Sequence, residues 1–410
     1  MLNIRILFSR FSLAWQNPLG AFCLSFLIYF AIAFIGGAPF GLKATAYYNY
    51  LADAFLHGQY YLRIIPPTTH DLSFFNGNYF LYWPPMPALV LMPFVAVFGI
   101  GFSDIFFTVV IASINVMLVA HLLNSAEKAQ IINITRFQKG ILVLFFAAGT
   151  VHLILAPRGG VWFTGQLTGF MFVILSYIFA LHYQGVGGFV LTGTAIGLAM
   201  LTRNHLLFAG IWPAYYLVSQ HWHQKKKLAG YVLAALLPPL FLGLWFLSYN
   251  FARFGSFAEL GIQYHQMADF FRANYDLYGT FHIAYLPINL YYQYLFYPLP
   301  LSAETFQGGS LFMLSPVFFV IFPVVWKELN NNQVRILATT VLVVMIPILL
   351  LMGTGWVQYG PRYTLDFTVP LILLTARGLK YISNRVLVLL TLISVSHYVI
   401  GTIIFIKYAN

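Results

Sequence analysis

The chain has 410 residues, 60% of them apolar and only 8% charged, with a mean hydropathy of +0.80 and a formal charge of +11. A soluble domain of this size needs far more charge to cover its surface, so composition excludes a soluble globular protein. The basic excess is not read as a nucleic-acid footprint, because membrane topology accounts for most of it.

Apolar runs of about 20 residues recur along the chain, the length a bilayer core requires. They are continuous rather than alternating, which predicts helices and not a β-barrel. The fold class expected is therefore all-α, a polytopic integral membrane protein. About eleven spans are predicted, over 20–38, 103–124, 140–157, 164–182, 187–201, 205–220, 228–250, 309–326, 335–353, 364–376 and 386–406. Arg5 and Arg10 precede the first run, which holds the single Cys23. No small-residue cleavage site follows and further spans do, so this run reads as an uncleaved signal-anchor. Next comes a tyrosine-rich loop. Tyr47–Leu56 reads as an amphipathic helix with Tyr50, Asp53 and His57 on its polar stripe, stopped at Gly58. Asp71 follows beside His70, in a loop with an Asn76-Gly77 turn. Tyr79, Tyr82 and Trp83 have the character of an aromatic belt. Met86–Gly99 is apolar but short, opens on Trp83-Pro84-Pro85 and contains Pro87 and Pro93. It fits either a span or an interfacial helix.

Charge decides between the two. With Met86–Gly99 in the interface, the side of the N-terminus holds 13 of the 21 basic residues, among them Lys128, Arg136, Lys139, Lys225, Lys226, Lys227, Lys327, Arg335, Arg377, Lys380 and Arg385. The opposite side holds eight of the ten acids. This satisfies the positive-inside rule, and treating the run as a span inverts every later loop. The reading is one transmembrane domain over 1–410, a cytoplasmic N-terminus, and two large outward loops at 39–102 and 251–308. Lys225-Lys226-Lys227 is a topology anchor facing anionic lipid.

The outward face then carries the polar chemistry. Arg158, Arg203 and Arg362 abut span ends, where an ionisable group is costly and pairs or faces a polar cavity. Snorkelling to lipid phosphate explains any one of them. Several arginines alongside aspartates suit a phosphate-bearing lipid and a hydroxyl to be deprotonated. There is no GxxxxGK[ST], HExxH, GxSxG or CxxC motif, and His152, His182 and His397 lack ligand-spaced partners. No metal site is predicted. No cofactor is firmly implied, and without a DxD pair in the outward loops a divalent cation is only an option.

Five segments in order resemble the GT-C superfamily of membrane glycosyltransferases, in particular its bacterial mannosyltransferase-like members: YNYLADAFLHGQYYL from Tyr48, HDLSFFNGNYFLYWPPMPALVLMPFVAVFG from His70, LTRN around Arg203, YNFARFGSFAELG from Tyr249 and QYGPRYTLDFTVPLIL from Gln358. That superfamily includes protein O-mannosyltransferases and the aminoarabinose transferase of lipid A. The resemblance implies interfacial helices in the first outward loop. It also implies inverting transfer of a sugar from a polyprenyl-phosphate carrier to an acceptor hydroxyl of a glycan, lipid or protein at the outer face of a bacterial cytoplasmic membrane. An acid normally follows the first span in that family; here the stretch is Phe40-Gly41-Leu42-Lys43-Ala44-Thr45. The expected base is then Asp71 or Asp53, with Asp71 preferred; a partner for Arg63 or His57 is the bland reading of Asp53, and a turn cap onto Ser73 that of Asp71. Arg203, Arg362 and Arg158 are the expected donor-phosphate ligands. His205, Tyr363, Tyr50, Tyr82, Trp83, Arg253 and Glu259 are candidates for substrate contact. A transporter or flippase of a lipid-linked sugar, a surface-polysaccharide polymerase or ligase, and a non-catalytic scaffold of the same fold are the alternatives.

Overall fold

A computed structural model describes residues 13–353, 355 and 357–408; Arg5 and Arg10 lie outside them. In chain order the helices are α1 (Pro18–Ile35), α2 (Tyr47–Leu56), α3 (Met86–Phe98), α4 (Asp104–Lys128), α5 (Arg136–Ala148), α6 (His152–Leu155), α7 (Val161–His182), α8 (Gly185–Met200) and α9 (Ile211–His221). They continue with α10 (Lys225–Phe254), α11 (Asp269–Tyr278), α12 (Leu286–Leu290), α13 (Leu311–Leu314), α14 (Ile321–Glu328), α15 (Asn332–Leu349), α16 (Thr368–Gly378) and α17 (Asn384–Tyr408). Among the described residues, α1, α4, α7, α10, α15 and α17 are long and apolar enough to cross a membrane. The starts of α1, α4 and α15 are fixed by Asn17, Ser103 and Asn331, whose side chains accept otherwise orphaned backbone N–H groups.

The other predicted spans are also helical, but α8 is short and four are broken. The 140–157 segment divides at Gly149 into α5 and α6. In 205–220 and 364–376, 3₁₀ turns at Asn204–Gly210 and Arg362–Phe367 precede α9 and α16. The 309–326 segment is α13, a 3₁₀ turn at Pro316–Val320, and α14. Hydropathy sees an apolar run and not its local pitch, so these interruptions are invisible to it. Arg203 and Arg362 stand at the heads of two of them, and non-helical backbone at such depth is tolerated where protein or a cavity surrounds it.

α7 is central and mostly buried, whereas α10 is peripheral. α10 leans on α8 through small residues: a Cβ on Gly193 would stand 2.0 Å from the Ala235 carbonyl oxygen. Such close backbone approach is how helices associate where no water drives them together. At one end of the bundle, the end of the Lys-rich loops, charges pair near the surface. There Lys139 meets Glu127 at 2.5 Å, while Arg377 and Lys380 meet Glu328 at 2.8 and 2.9 Å.

The opposite end carries both large loops. In the first, β1 (Ser73–Phe75) and β2 (Asn78–Phe80) form a hairpin whose two-residue turn places Asn76 at φ 48° and Gly77 at φ 77°, the conformation a type I′ turn demands. The 13 residues of α3 reach only about 20 Å, short of a bilayer core. Both its ends stay at this end of the bundle. Met86 N–H donates to the Leu201 carbonyl (2.9 Å), and the Ile100 and Phe102 carbonyls beyond its C-terminus accept from Asn49 Nδ2 (2.9 and 2.7 Å). The second loop crosses the first. Ser73 bridges His265, and Phe281 bridges Leu351 beyond α11, while β3 (Gln307–Gly308) lies parallel to β4 (Gln358–Tyr359).

Candidate functional site

A cavity of about 1010 Å³ opens at the loop-bearing end, walled by both large loops, the start of α7, the Thr202–His205 link and the Arg362 turn. It brings together residues far apart in sequence, among them Lys43, Asp71, Arg158, Trp162, Arg203, His265 and Arg362.

Asp71 stands on the tight turn closed by Leu72 N–H and the Thr69 carbonyl, at φ 66°. This left-handed conformation is one that Asp and Asn adopt more readily than most residues. Its Oδ2 accepts from Trp162 Nε1 (3.1 Å) and its Oδ1 from His265 Nε2 (2.9 Å), with His70 Nε2 at 3.4 Å from Oδ1. A carboxylate has room for about four hydrogen bonds, so lone pairs remain for a ligand hydroxyl. The Ser73 hydroxyl, a possible capping partner by sequence, instead donates to the Gly261 carbonyl at 2.7 Å. Tyr82 and Trp83 stack at 3.9 Å between ring centres and form the wall beside His265. Burial and the neighbouring Asp71 push the Tyr82 phenol well above its ordinary pKa, so it stays protonated. Burial likewise raises Tyr47 to about 12, against a lowering hydrogen bond from Thr68 and with a further push from Asp71; its hydroxyl donates to the His70 carbonyl.

A second carboxylate, Asp366, lies behind the wall rather than in it. It is fully buried and accepts from Arg203 Nη1 (2.9 Å), His205 Nε2 (2.9 Å) and Gln166 Nε2 (3.3 Å). Gln166 Nε2 also donates to the Arg362 carbonyl at 2.6 Å, joining the two arginine turns. The Arg203 guanidinium lies 4.8 Å and that of Arg362 4.9 Å from the Tyr363 ring centre. Arg362 is 7% exposed, and its Nε has no hydrogen-bond partner among the described residues. Arg158, 8% exposed, donates from Nε to the Ile154 carbonyl (3.1 Å) and lies over Phe405 at 3.5 Å. Burial draws its pKa down to about 9, which leaves it a cation at neutral pH but a poorly hydrated one. A buried cation with spare N–H groups beside a cavity attracts an anion.

Asp104 fixes the turn that carries Arg158. Its Oδ2 accepts from Gly160 N–H at 2.5 Å and its Oδ1 from Lys43 N–H at 3.0 Å. Gly159 must lack a side chain, since a Cβ there would stand 2.1 Å from the same carboxylate. Lys43, in the stretch where the sequence lacks an early acid, also lines the cavity.

Four of the candidate residues lie elsewhere. Asp53 accepts from Arg63 Nε and Nη2 at 2.9 and 3.0 Å, with His57 Nδ1 at 3.6 Å, and does not line the cavity; nor does Tyr50 on the same helix. Arg253 spends its guanidinium on the Leu81 carbonyl (2.6 Å) and Asn250 Oδ1 (2.7 Å), over the Tyr249 ring at 4.0 Å. Glu259 accepts from Gly261 N–H at 2.5 Å. Conversely, His265, Trp162, Gln166 and Lys43 join the site though nothing in the sequence singles them out, and Asp366 is by sequence only one of the eight acids opposite the N-terminus. Asp366 follows Arg362 by four residues within one quoted segment, a signal that could have found it. The pairing of Asp71 with His265 across 194 residues left none. Among the described residues, no group of three or more His, Cys, Asp and Glu is arranged to hold a metal ion.

Six helices long and apolar enough to cross a membrane, in a bundle with a cation-rich cavity at one end, define a polytopic integral membrane protein among the described residues. No family model and no curated protein matches the chain. Among solved structures it is similar to the crystal structure of ArnT from Cupriavidus metallidurans in the apo state, with a TM-score of 0.47 and 15% identity over 89% of this chain and 60% of that one. It is also similar to the structure of the same protein bound to undecaprenyl phosphate, with a TM-score of 0.45 and 16% identity over 93% of this chain and 62% of that one. The chain thus spans about three-fifths of the length of those structures.

Proposed function

We propose that this chain is a membrane glycosyltransferase of the GT-C type, moving a sugar from a polyprenyl-phosphate donor to an acceptor hydroxyl at the extracytoplasmic face of a bacterial cytoplasmic membrane. The observation that carries the reading is the content of one cavity: a carboxylate with unused lone pairs, Asp71, together with the buried guanidinium groups of Arg158 and Arg362 and the Asp366-anchored Arg203. Asp71 is the general base. It takes the acceptor proton as the acceptor oxygen attacks the anomeric carbon, and the bond from that carbon to the phosphate oxygen breaks with inversion. Polyprenyl phosphate leaves, and the arginines neutralise the charge that grows on it. Tyr82, Trp83 and Trp162 offer aromatic faces to a sugar ring, and His205 and Tyr363 order the arginine wall. Asp53 is assigned a structural role with Arg63. The orientation rests on the basic residues gathered at the opposite end of the bundle.

The test is transfer by purified protein in nanodiscs, supplied with a panel of radiolabelled polyprenyl-phosphate sugars and native membrane extract as acceptor. Transfer that is lost in Asp71→Asn and kept in Asp53→Asn supports the reading. Transfer kept in Asp71→Asn overturns the assignment of the base. Movement of labelled lipid across sealed vesicles without acceptor, with no transfer, replaces the enzyme by a transporter.

A further inference from the structure

Two imidazoles approach Asp71 and differ in their surroundings. His70 is its chain neighbour, with a side chain 49% exposed and a long 3.4 Å contact. His265 comes from the second outward loop, its side chain is 4% exposed, and its Nε2 lies 2.9 Å from Oδ1. Everything around His265 fixes its position. Its backbone bridges Ser73, its carbonyl accepts from Arg272 Nη2 (2.6 Å), and its ring packs 4.6 Å from the Tyr82 ring centre. The turn bearing Asp71 is tied to the same strand: Asp71 N–H donates to the Gln266 carbonyl (3.0 Å) and Gln266 N–H to the Leu72 carbonyl (2.8 Å). Because an ionised carboxylate only accepts, Nε2 must be the protonated nitrogen. Nδ1 is then free of that duty, and it is buried with no partner among the described residues. The imidazole therefore has one polar contact, and that contact is the carboxylate.

We propose that His265 is the positioning residue of this site: its Nε2–H holds the Asp71 carboxylate at a fixed angle, with Trp162 fixing its other oxygen, so that the remaining lone pairs point at the acceptor hydroxyl. The proposal rests on the reading of Asp71 as the base. It adds that the base is assembled from two loops, because the second outward loop supplies its orienting hydrogen bond. Other groups near the carboxylate are His70, Tyr47, Tyr82 and, at longer range, Arg362. None of them can replace the Nε2 contact, since His70 is mostly solvated, the Tyr47 hydroxyl is committed to the His70 carbonyl and Arg362 belongs to the arginine wall.

The experiment measures transfer by wild type, His265→Ala, His265→Gln and Asp71→Asn in nanodiscs, using whichever radiolabelled polyprenyl-phosphate sugar the wild type accepts. Folding is checked by thermal unfolding. In His265→Ala, kcat falls roughly a hundredfold, the loss that misplacing a catalytic group by about 1 Å produces, while KM for the donor is unchanged. In His265→Gln, which presents an N–H at a similar reach, kcat recovers at least tenfold over His265→Ala. A folded His265→Ala with wild-type kcat overturns the proposal. So does equal loss in both His265 variants, which marks a merely structural residue. Transfer retained in Asp71→Asn instead sinks the base assignment and is distinguishable from either result.

Discussion

Two carboxylate–imidazole pairs stand at the cavity, one in its wall and one behind it, and they are built for opposite ends. Asp366 is sealed behind the wall with Arg203, His205 and Gln166 as partners. Asp71 is held by His265 and Trp162 but remains partly open to the cavity. What separates them is what remains after the donors are counted. Asp366 faces a guanidinium, so its hydrogen-bonding capacity is spent in holding Arg203 in place. Asp71 meets the His265 imidazole and the Trp162 indole, with His70 farther off at 3.4 Å, and keeps lone pairs towards the cavity. A carboxylate clamped by a cation organises a site, and one with lone pairs to spare can serve a ligand.

Substitutions can break this contrast. The largest effect is expected for Asp71→Asn, which keeps the left-handed turn but removes the proton acceptor: transfer falls by about 10²- to 10⁴-fold, the usual worth of a general base. The thermal unfolding midpoint of the same preparation should stay near wild type. Asp366→Asn should act on both readouts, because it leaves the half-buried Arg203 without its counter-charge. Breaking one partner of a buried pair costs about 3 kcal/mol, seen as a lower unfolding midpoint, with weaker binding of a polyprenyl phosphate in a competition assay. Arg362→Ala removes a cation without touching either carboxylate, and kcat should fall about 100-fold, as for loss of one donor to developing negative charge, with folding preserved. The smallest effect belongs to Asp53→Asn. Asp53 pairs with the exposed Arg63 outside the cavity, so transfer should remain at the wild-type rate. A large loss there would show that α2 does more than brace the first loop.

Much of the architecture is legible in the sequence because burial in lipid writes long apolar runs. The Asn76-Gly77 turn obeys local rules, and the structure adds the short strands that flank it. Hydropathy does not place the short, proline-rich Met86–Gly99 run, which charge asymmetry and the resemblance both assign to the interface, and its helix α3 is 13 residues long. The 3₁₀ breaks before α9 and α16 are harder to read, since an apolar residue has the same hydropathy at either pitch. The site divides along the same line. Arginines at span ends are conspicuous because each charge there is costly. His265, Trp162 and Gln166 are ordinary residues whose relevance arises only when distant loops meet, and Asp53 and Asp71 look alike until Arg63 is seen to occupy one of them.

The crossing of the two large loops also sets a timetable for biosynthesis. Asp71 and His265 are 194 residues apart, and ribosomes add about 5–20 residues per second. The first loop therefore emerges roughly 10 to 40 s before the strand that completes its turn. Until then Asp71 N–H and the Leu72 carbonyl lack the Gln266 partners they have in the finished protein. A chain that ends before His265 lacks these partners, so on the reading proposed above it would carry Asp71 without its orienting hydrogen bond.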